Sequence, residues 1–182
     1  MIRKVVGLTI TAAVLTVSGF APTVQGEEKI PSEYVLKAAF LYNFAKFVEW
    51  PEDTFPDGER VIGICVLGED PFGHTLESIE GKIVKGRRVM IKLAESVADA
   101  KDCHVLFISR FHEKELVGIL ADLKHASVLT VGDGADFGER GGIIHFITVG
   151  NKLRFNINLE AAQRSGLKIS SKLLKLANRV SH

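Results

Sequence analysis

Short apolar runs alternate with amphipathic stretches through the middle of the chain. Four runs have the length and residue content of buried strands, and the stretches between them have helical spacing. The predicted strands are 61–67, 87–93, 104–109 and 127–131, and the predicted helices are 71–79, 95–101 and 113–123. Strands that alternate with helices form βαβ units, which place a parallel sheet between two helical layers. The pattern therefore predicts a single-domain α/β fold with a Rossmann-like or flavodoxin-like, mostly parallel sheet and helices on both faces.

The last third of the chain departs from this alternation. The glycine-rich segment 132–142 is predicted to be a mobile loop, and the strand-like runs 143–149 and 152–157 flank the pair Gly150-Asn151. Gly and Asn tolerate the positive φ angles of a tight two-residue turn, which indicates a C-terminal antiparallel hairpin. Two helices are expected after the hairpin, one ending near 164 and one reaching about 180.

A hairpin with this turn would bring three polar side chains to one side of its two strands. They are His145, Arg154 and Asn156, which become cross-strand or diagonal neighbours. An imidazole, a guanidinium and an amide could together hold a small carboxylate or phosphate. The alternative is that they form the solvent-exposed side of an amphipathic strand pair.

An aromatic-rich helix is predicted over 32–49, directly before Trp50-Pro51. Its apolar residues at helical spacing indicate a stripe that packs in the core, formed by Leu36, Phe40, Phe44 and Phe47. The other side carries Val35, Ala39 and Tyr42, and a helix that is apolar nearly all round is covered on both sides. We expect these three residues to contact a second copy of the chain or a partner protein. The alternative cover is the rest of the same domain.

The N-terminus has the pattern of a secretory signal peptide. Arg3 and Lys4 precede an uncharged, mostly apolar stretch, and small residues follow it near Gly26. We expect residues 1–26 to be removed, which leaves one exported domain over 27–182. The alternative is an uncleaved membrane anchor.

The composition is that of an ordinary globular domain, with 182 residues of which 46% are hydrophobic and 25% charged. Lys and Arg number 23 and Asp and Glu number 22, so the formal charge is +1. Removal of Arg3 and Lys4 with the signal segment changes the formal charge to −1, which is 21 minus 22. This balance argues against a protein whose main role is to cover nucleic acid or an acidic membrane surface.

Cys65 and Cys103 are the only cysteines of the chain. An exported chain with two cysteines usually pairs them, so we expect a disulfide between these residues. The alternative is a pair of buried thiols that behave as small apolar residues. A zinc site that includes the neighbouring His104 would lack the usual ligand spacing.

Polar residues stand at the carboxyl ends of the predicted strands, where open α/β sheets bind their ligands. Ser109, Arg110, Thr130 and Asp133 could line a crevice there, and ordinary turn formation is the alternative explanation. The sequence contains none of the common catalytic or metal-binding signatures. We therefore expect no enzymatic activity, no cofactor and no metal site.

Two segments of the chain resemble the YfiR-like family of periplasmic proteins. The first segment, 40–51, reads FLYNFAKFVEWP, and the second, 141–174, contains GGIIHF, LRFNIN and SGLKISSKLL. The resemblance implies a periplasmic repressor that binds the periplasmic part of an inner-membrane diguanylate cyclase and so lowers cyclic-di-GMP signalling and biofilm formation. It also implies a homodimer. A family member has a second disulfide near the hairpin, and this sequence has no cysteines there, so a redox switch resting on that bond does not carry over.

The leading prediction is a periplasmic regulatory protein that acts by contact with a membrane diguanylate cyclase and has no nucleic acid partner. The alternative is a periplasmic protein that binds or senses a small molecule. The candidate ligand-binding residues are His145, Arg154, Asn156, Ser109 and Arg110.

Overall fold

The computed structural model describes residues 32–55, 58, 60–112 and 114–182, and the predicted signal segment lies outside them. The strands are β1 Val48–Glu49, β2 Val61–Leu67, β3 Ile83–Val84, β4 Arg87–Ala94, β5 Val105–Ile108, β6 Leu129–Gly132, β7 Ile144–Val149, β8 Lys152–Asn158, β9 Lys168–Ile169 and β10 Arg179–Ser181. The helices are α1 Ser32–Phe47, α2 Val97–Ala100, α3 Leu116–Asp122, α4 Leu159–Arg164 and α5 Ser171–Leu176.

Eight strands form one sheet in the order β10-β8-β7-β6-β5-β2-β4-β3. The neighbours from β4 to β7 are parallel, as are β8 and β10. The pairs β3–β4 and β7–β8 are antiparallel, and β1 pairs with β9 in a separate two-stranded sheet. The prediction of a mixed α/β domain with a mostly parallel sheet is therefore confirmed.

Each face of the sheet has its own apolar core. The larger core lies under α1 and includes Phe44, Phe107 and Ile144. The smaller core lies under α2 and α3 and surrounds the disulfide. Central strands buried on both faces explain why β2 and β5 read as continuous apolar runs in the sequence.

Several short elements differ from the sequence-based expectation. The segment Gly73–Ser78 is a 3₁₀ helix where an α-helix was expected, and β3 interrupts the connection to β4. The first helix ends at Phe47 because the next two residues pair with β9. The last helix ends at Leu176, since Ala177 has extended backbone angles and the chain continues into β10.

The turn between β7 and β8 consists of Gly150 and Asn151, which have φ angles of +51° and +59°. Positive φ at both turn positions matches the right-handed twist of the strands on either side. The register pairs Val149 with Lys152, Ile147 with Arg154 and His145 with Asn156.

The expected disulfide joins Cys65 in β2 to Cys103, just before β5. Both residues are buried, and β2 and β5 are parallel neighbours in the sheet. The pairing predicted from the sequence is therefore confirmed, and the bond crosslinks the centre of the sheet.

The glycine-rich segment 132–142 is held by one buried aromatic ring. Phe137 lies between Gly132 and Gly142, and a Cβ atom built at these glycines would lie 2.3 and 2.1 Å from carbons of the ring. The two glycines thus permit close packing of the ring in a segment that was expected to form a mobile loop.

Candidate functional site

Helix α1 has one buried side and one exposed apolar side. The buried side is formed by Tyr34, Ala38, Leu41, Phe44, Ala45 and, just past the helix, Val48. Val35 and Leu36 are each 52% exposed, and Ala39 is also exposed. The expected core stripe is therefore wrong at Leu36, which faces outward, while Phe40 and Phe47 are only partly buried.

Tyr42 occupies a different environment from Val35 and Ala39. Its ring packs partly against the larger core, and its hydroxyl donates a hydrogen bond to the carbonyl of Ile83 at 3.4 Å. The expectation that all three residues avoid this domain's own core is thus wrong for Tyr42. An interface at Val35 and Ala39 stays a prediction, and Leu36 extends the same exposed surface.

A buried ion pair fastens α1 to the carboxyl end of β6. Lys37 is only 2% exposed, and its Nζ lies 2.6 Å from Asp133 Oδ2 and 2.6 Å from Glu33 Oε1. The hydroxyl of Tyr34 donates to Asp133 Oδ2 at 3.1 Å, and the backbone N–H of Arg110 donates to Asp133 Oδ1 at 3.0 Å. A buried charge needs a partner and further hydrogen bonds, and both are present here.

The same network perturbs the titration of Tyr34. Burial of the phenol raises its pKa, and the negative charge of Asp133 raises it further. Lys37 Nζ also lies 4.2 Å from the centre of the Tyr34 ring, a cation–π contact. The phenol thus remains protonated and acts as a hydrogen-bond donor to the carboxylate.

A cleft of about 280 Å³ opens beside this ion pair at the carboxyl end of the sheet. Its walls include Lys37, Arg110, Asp133 and His145. Burial lowers the pKa of His145, and this effect is opposed by its hydrogen bond to the backbone of Gly134 and by nearby carboxylates. The cleft thus combines cationic side chains with a largely neutral imidazole.

The structure brings together only some of the candidate ligand residues. Arg110 and His145 line the cleft, but Ser109 is buried and is not part of its wall. Thr130 is also buried, and its hydroxyl accepts a hydrogen bond from the N–H of Ile143 at 3.1 Å. Thr130 therefore has a structural role in joining β6 to the start of β7.

The three hairpin residues of the predicted anion site, His145, Arg154 and Asn156, are also not all brought together. His145 and Asn156 are cross-strand partners and line a second cleft of about 340 Å³, which also contains Arg179. The side-chain oxygen of Asn156 accepts a hydrogen bond from the amide of Asn178 at 3.0 Å. Arg154 pairs with Ile147, is exposed and lines neither cleft. The proposed three-residue anion site is therefore incomplete in this arrangement.

The amino end of the sheet holds a cluster that sequence reasoning missed. His104 stacks on Phe55 with ring centres 4.5 Å apart. On the same phenyl ring, the guanidinium of Arg87 lies 3.6 Å from the ring centre. Trp50 Nε1 donates to the carbonyl of His104 at 3.2 Å. The one available signal was the position of His104 directly before a buried apolar run.

His104 is held in its neutral form by its neighbours. Its Nδ1 accepts a hydrogen bond from the N–H of Gly63 at 3.0 Å, so the ring proton is assigned to Nε2. This Nε2 is buried and has no hydrogen-bond partner among the described residues. Burial, together with the charges of Arg87 and Lys92, lowers the pKa of His104 to about 4.

Comparison with known protein families matches residues 34–178 to the family described as YfiR/HmsC-like. The chain belongs to the YfiR/HmsC-like family. The matched residues include the ion pair at the carboxyl end of the sheet, the disulfide and the aromatic cluster at the amino end. Within the described part of this YfiR/HmsC-like chain, no three His, Cys, Asp or Glu side chains are grouped to hold a metal ion.

Two solved structures are similar in fold to this YfiR/HmsC-like chain. One is a conserved domain protein from Vibrio cholerae O1 biovar El Tor, with 15% identity, a TM-score of 0.45, and coverage of 71% of this chain and 57% of the other. The second is an ABC domain in complex with L-Trp from Streptococcus pneumonia, with 12% identity, a TM-score of 0.50, and coverage of 79% and 60%. The chain thus spans less than two thirds of either protein, and the second likeness concerns the fold alone.

No helix in the described residues of the YfiR/HmsC-like chain has the length and apolarity needed to cross a membrane.

Proposed function

We propose that this protein is a periplasmic repressor that binds an inner-membrane diguanylate cyclase and keeps it inactive. Membership of the YfiR/HmsC-like family supports this function, because the family consists of periplasmic regulators rather than enzymes. The removal of a signal peptide at residue 26 and the resulting domain 27–182 form part of the same proposal.

The exposed side of α1 is the surface we assign to this contact. Val35, Leu36 and Ala39 lie beside one another at helical spacing, and the opposite side of the same helix is anchored in the core. The buried Lys37–Asp133 pair fixes the orientation of this part of the helix relative to the sheet. A rigid helix with exposed aliphatic side chains is a surface that a partner helix or a second copy can cover. The single observation that carries the proposal is therefore the exposure of Val35 and Leu36 on a firmly anchored helix.

The test is complementation in a strain from which the gene has been deleted. Deletion should raise cyclic-di-GMP, and the wild-type gene should lower it again. Leu36→Glu should fail to lower it, because the new carboxylate would be buried without a partner at the interface. Val117→Glu, at a position that is 59% exposed on α3, is the matched control and should act as wild type.

Two results would contradict this assignment. An unchanged cyclic-di-GMP level after deletion would exclude repression of a cyclase. Equal activity of Leu36→Glu and Val117→Glu would exclude the α1 surface. Circular dichroism of both purified variants establishes that each is folded, and sedimentation of the wild type and Leu36→Glu shows whether a homodimer uses the same surface.

A second candidate function is the binding of a small anionic molecule in the cleft beside the ion pair. The specific observation is the position of Arg110 and His145 in one cleft at the carboxyl end of the sheet, where α/β folds bind their ligands. Thermal unfolding in the presence of a panel of carboxylates and phosphates tests it. A ligand that raises the Tm of the wild type but not of Arg110→Ala supports this function, and no shift with any compound contradicts it.

A further inference from the structure

The hairpin formed by β3 and β4 is strongly and uniformly cationic. Between residues 81 and 94 the sequence has no acidic residue, and it has five basic ones: Lys82, Lys85, Arg87, Arg88 and Lys92. None of the ion pairs within the described residues involves this hairpin. The near-zero charge of the whole chain therefore conceals a local basic surface.

Three of the five cations have contacts within the domain. Lys82 lies over the ring of Tyr42, Lys85 donates to the carbonyl of Val48 at 2.7 Å, and Arg87 stacks on Phe55. The side chains of Arg88 and Lys92 are exposed and have no hydrogen bond or ion pair with another described residue. These two charges are thus available to a partner outside the domain.

Strand geometry places these two charges beside exposed apolar side chains. Arg88, Met90 and Lys92 alternate along β4 and so point to one side of the sheet, and Ile83 on β3 is paired with Arg88. Ile83 is 58% exposed and Met90 is 38% exposed. We call this set of four residues the hairpin face.

The hairpin face lies at one edge of the sheet. β3 pairs with β4 only through Ile83 and Val84, and no described strand lies beside the outer edge of the rest of β4. Basic side chains at a sheet edge oppose pairing with a second copy, because like charges would then face one another. The occupant that the charges favour is therefore anionic.

We propose that the hairpin face docks on an anionic phospholipid bilayer. Arg88 and Lys92 would interact with lipid phosphates, and Ile83 and Met90 would enter the region where headgroups meet acyl chains. Basic residues interleaved with exposed aliphatic ones are the combination that binds such surfaces, because each supplies one of the two attractions involved. Binding of this kind requires no protein partner, so it does not depend on the proposed repression of a cyclase.

Vesicle flotation with the mature chain tests the proposal. The protein should float with vesicles of phosphatidylglycerol and phosphatidylcholine, should not float with phosphatidylcholine alone, and should be released by high salt. The double variant Arg88→Glu/Lys92→Glu should lower the bound fraction about tenfold or more. Met90→Gln, which keeps the charges, should lower it by a smaller factor.

The control is Lys172→Glu/Lys175→Glu, which makes the same change of charge at two exposed lysines of α5. This variant should float as well as the wild type. The proposal is overturned if the wild type does not float with anionic vesicles, if it floats equally with neutral ones, or if the control loses binding to the same extent. It is also overturned if the hairpin variant loses repression in cells while the wild type binds no vesicles, since the face would then contact a protein.

Discussion

The two ends of the sheet bury titratable side chains in opposite ways. At the carboxyl end, Lys37 is charged and has Asp133 and Glu33 as partners. At the amino end, His104 is neutral and keeps one ring nitrogen without a partner among the described residues. A full set of partners makes a buried charge tolerable, whereas burial beside cations makes the neutral imidazole the stable form. Different changes should therefore lower the stability of the protein through its two ends. At the carboxyl end the change is the loss of a charged partner, and at the amino end it is acid.

The largest effect is expected from Lys37→Met. This variant keeps most of the length of the side chain but leaves Asp133 buried without its counter-ion, which should cost about 3–5 kcal/mol of unfolding free energy. Urea unfolding measures the difference. Glu33→Gln is the control and should change stability by less than about 1 kcal/mol, because the Glu33 side chain is about half exposed. A loss in Lys37→Met as small as that expected for Glu33→Gln would mean that Asp133 does not depend on Lys37.

The second effect concerns acid and His104. The pKa of His104 is lowered to about 4 in the folded protein, whereas in the unfolded chain it has its ordinary value near 6.5. Below about pH 6.5 the unfolded chain therefore binds more protons than the folded protein. The stability due to neutral His104 is thus fully present above pH 6.5, falls as the pH drops from 6.5 to 4, and does not fall further below that. The whole loss amounts to about 3 kcal/mol.

Urea unfolding of the wild type and His104→Asn across this range isolates that contribution. Asn retains an oxygen that can accept the hydrogen bond from Gly63 but does not titrate. The wild type should lose about 3 kcal/mol more than the variant between pH 7 and pH 4. Parallel pH profiles would show that His104 is not the group responsible for acid sensitivity.

The smallest effect is expected from Tyr34→Phe at the carboxyl end. The variant removes one of the donors to Asp133 and retains the ring, with its edge contacts to Phe72 and Phe107. The expected loss is about 1–2 kcal/mol, since Lys37 and the N–H of Arg110 still satisfy the carboxylate. A loss as large as that of Lys37→Met would indicate that the phenol, and not the ammonium, is the main partner of Asp133.

The long elements of this fold could be predicted from the sequence because their signals are local. The buried strands β2 and β5 are continuous apolar runs, and α1 ends close to Trp50-Pro51. The two-residue strands β1, β3 and β9 could not be predicted in this way. Two residues contain no periodicity, and β1 pairs with a distant segment, since Val48 faces Ile169, 121 positions later.

The candidate site was harder to predict because its central residue breaks a compositional rule. A lysine in an amphipathic helix is normally taken as solvated, and nothing near Lys37 in sequence marks it as buried. Its partner Asp133 lies 96 residues further along the chain. The orientation of α1 about its axis that buries Lys37 also exposes Leu36. The Lys37–Asp133 ion pair, which was not recognised in the sequence, therefore accounts for two wrong expectations: that Lys37 is solvated and that Leu36 packs in the core. The cationic hairpin was also not predicted, because net charge is a sum over the whole chain and does not show where the charges cluster.

The Cys65–Cys103 bond encloses 3₁₀ segment 73–78, β3, β4 and α2 in one covalent loop. The turn between β3 and β4 contains Lys85 and Gly86, both exposed. A protease such as trypsin that cuts after Lys85 would therefore produce a nicked molecule whose two fragments stay joined, and reduction alone would separate them on a gel. Proteolysis within the cationic hairpin would cut its turn without detaching either of its strands from the protein.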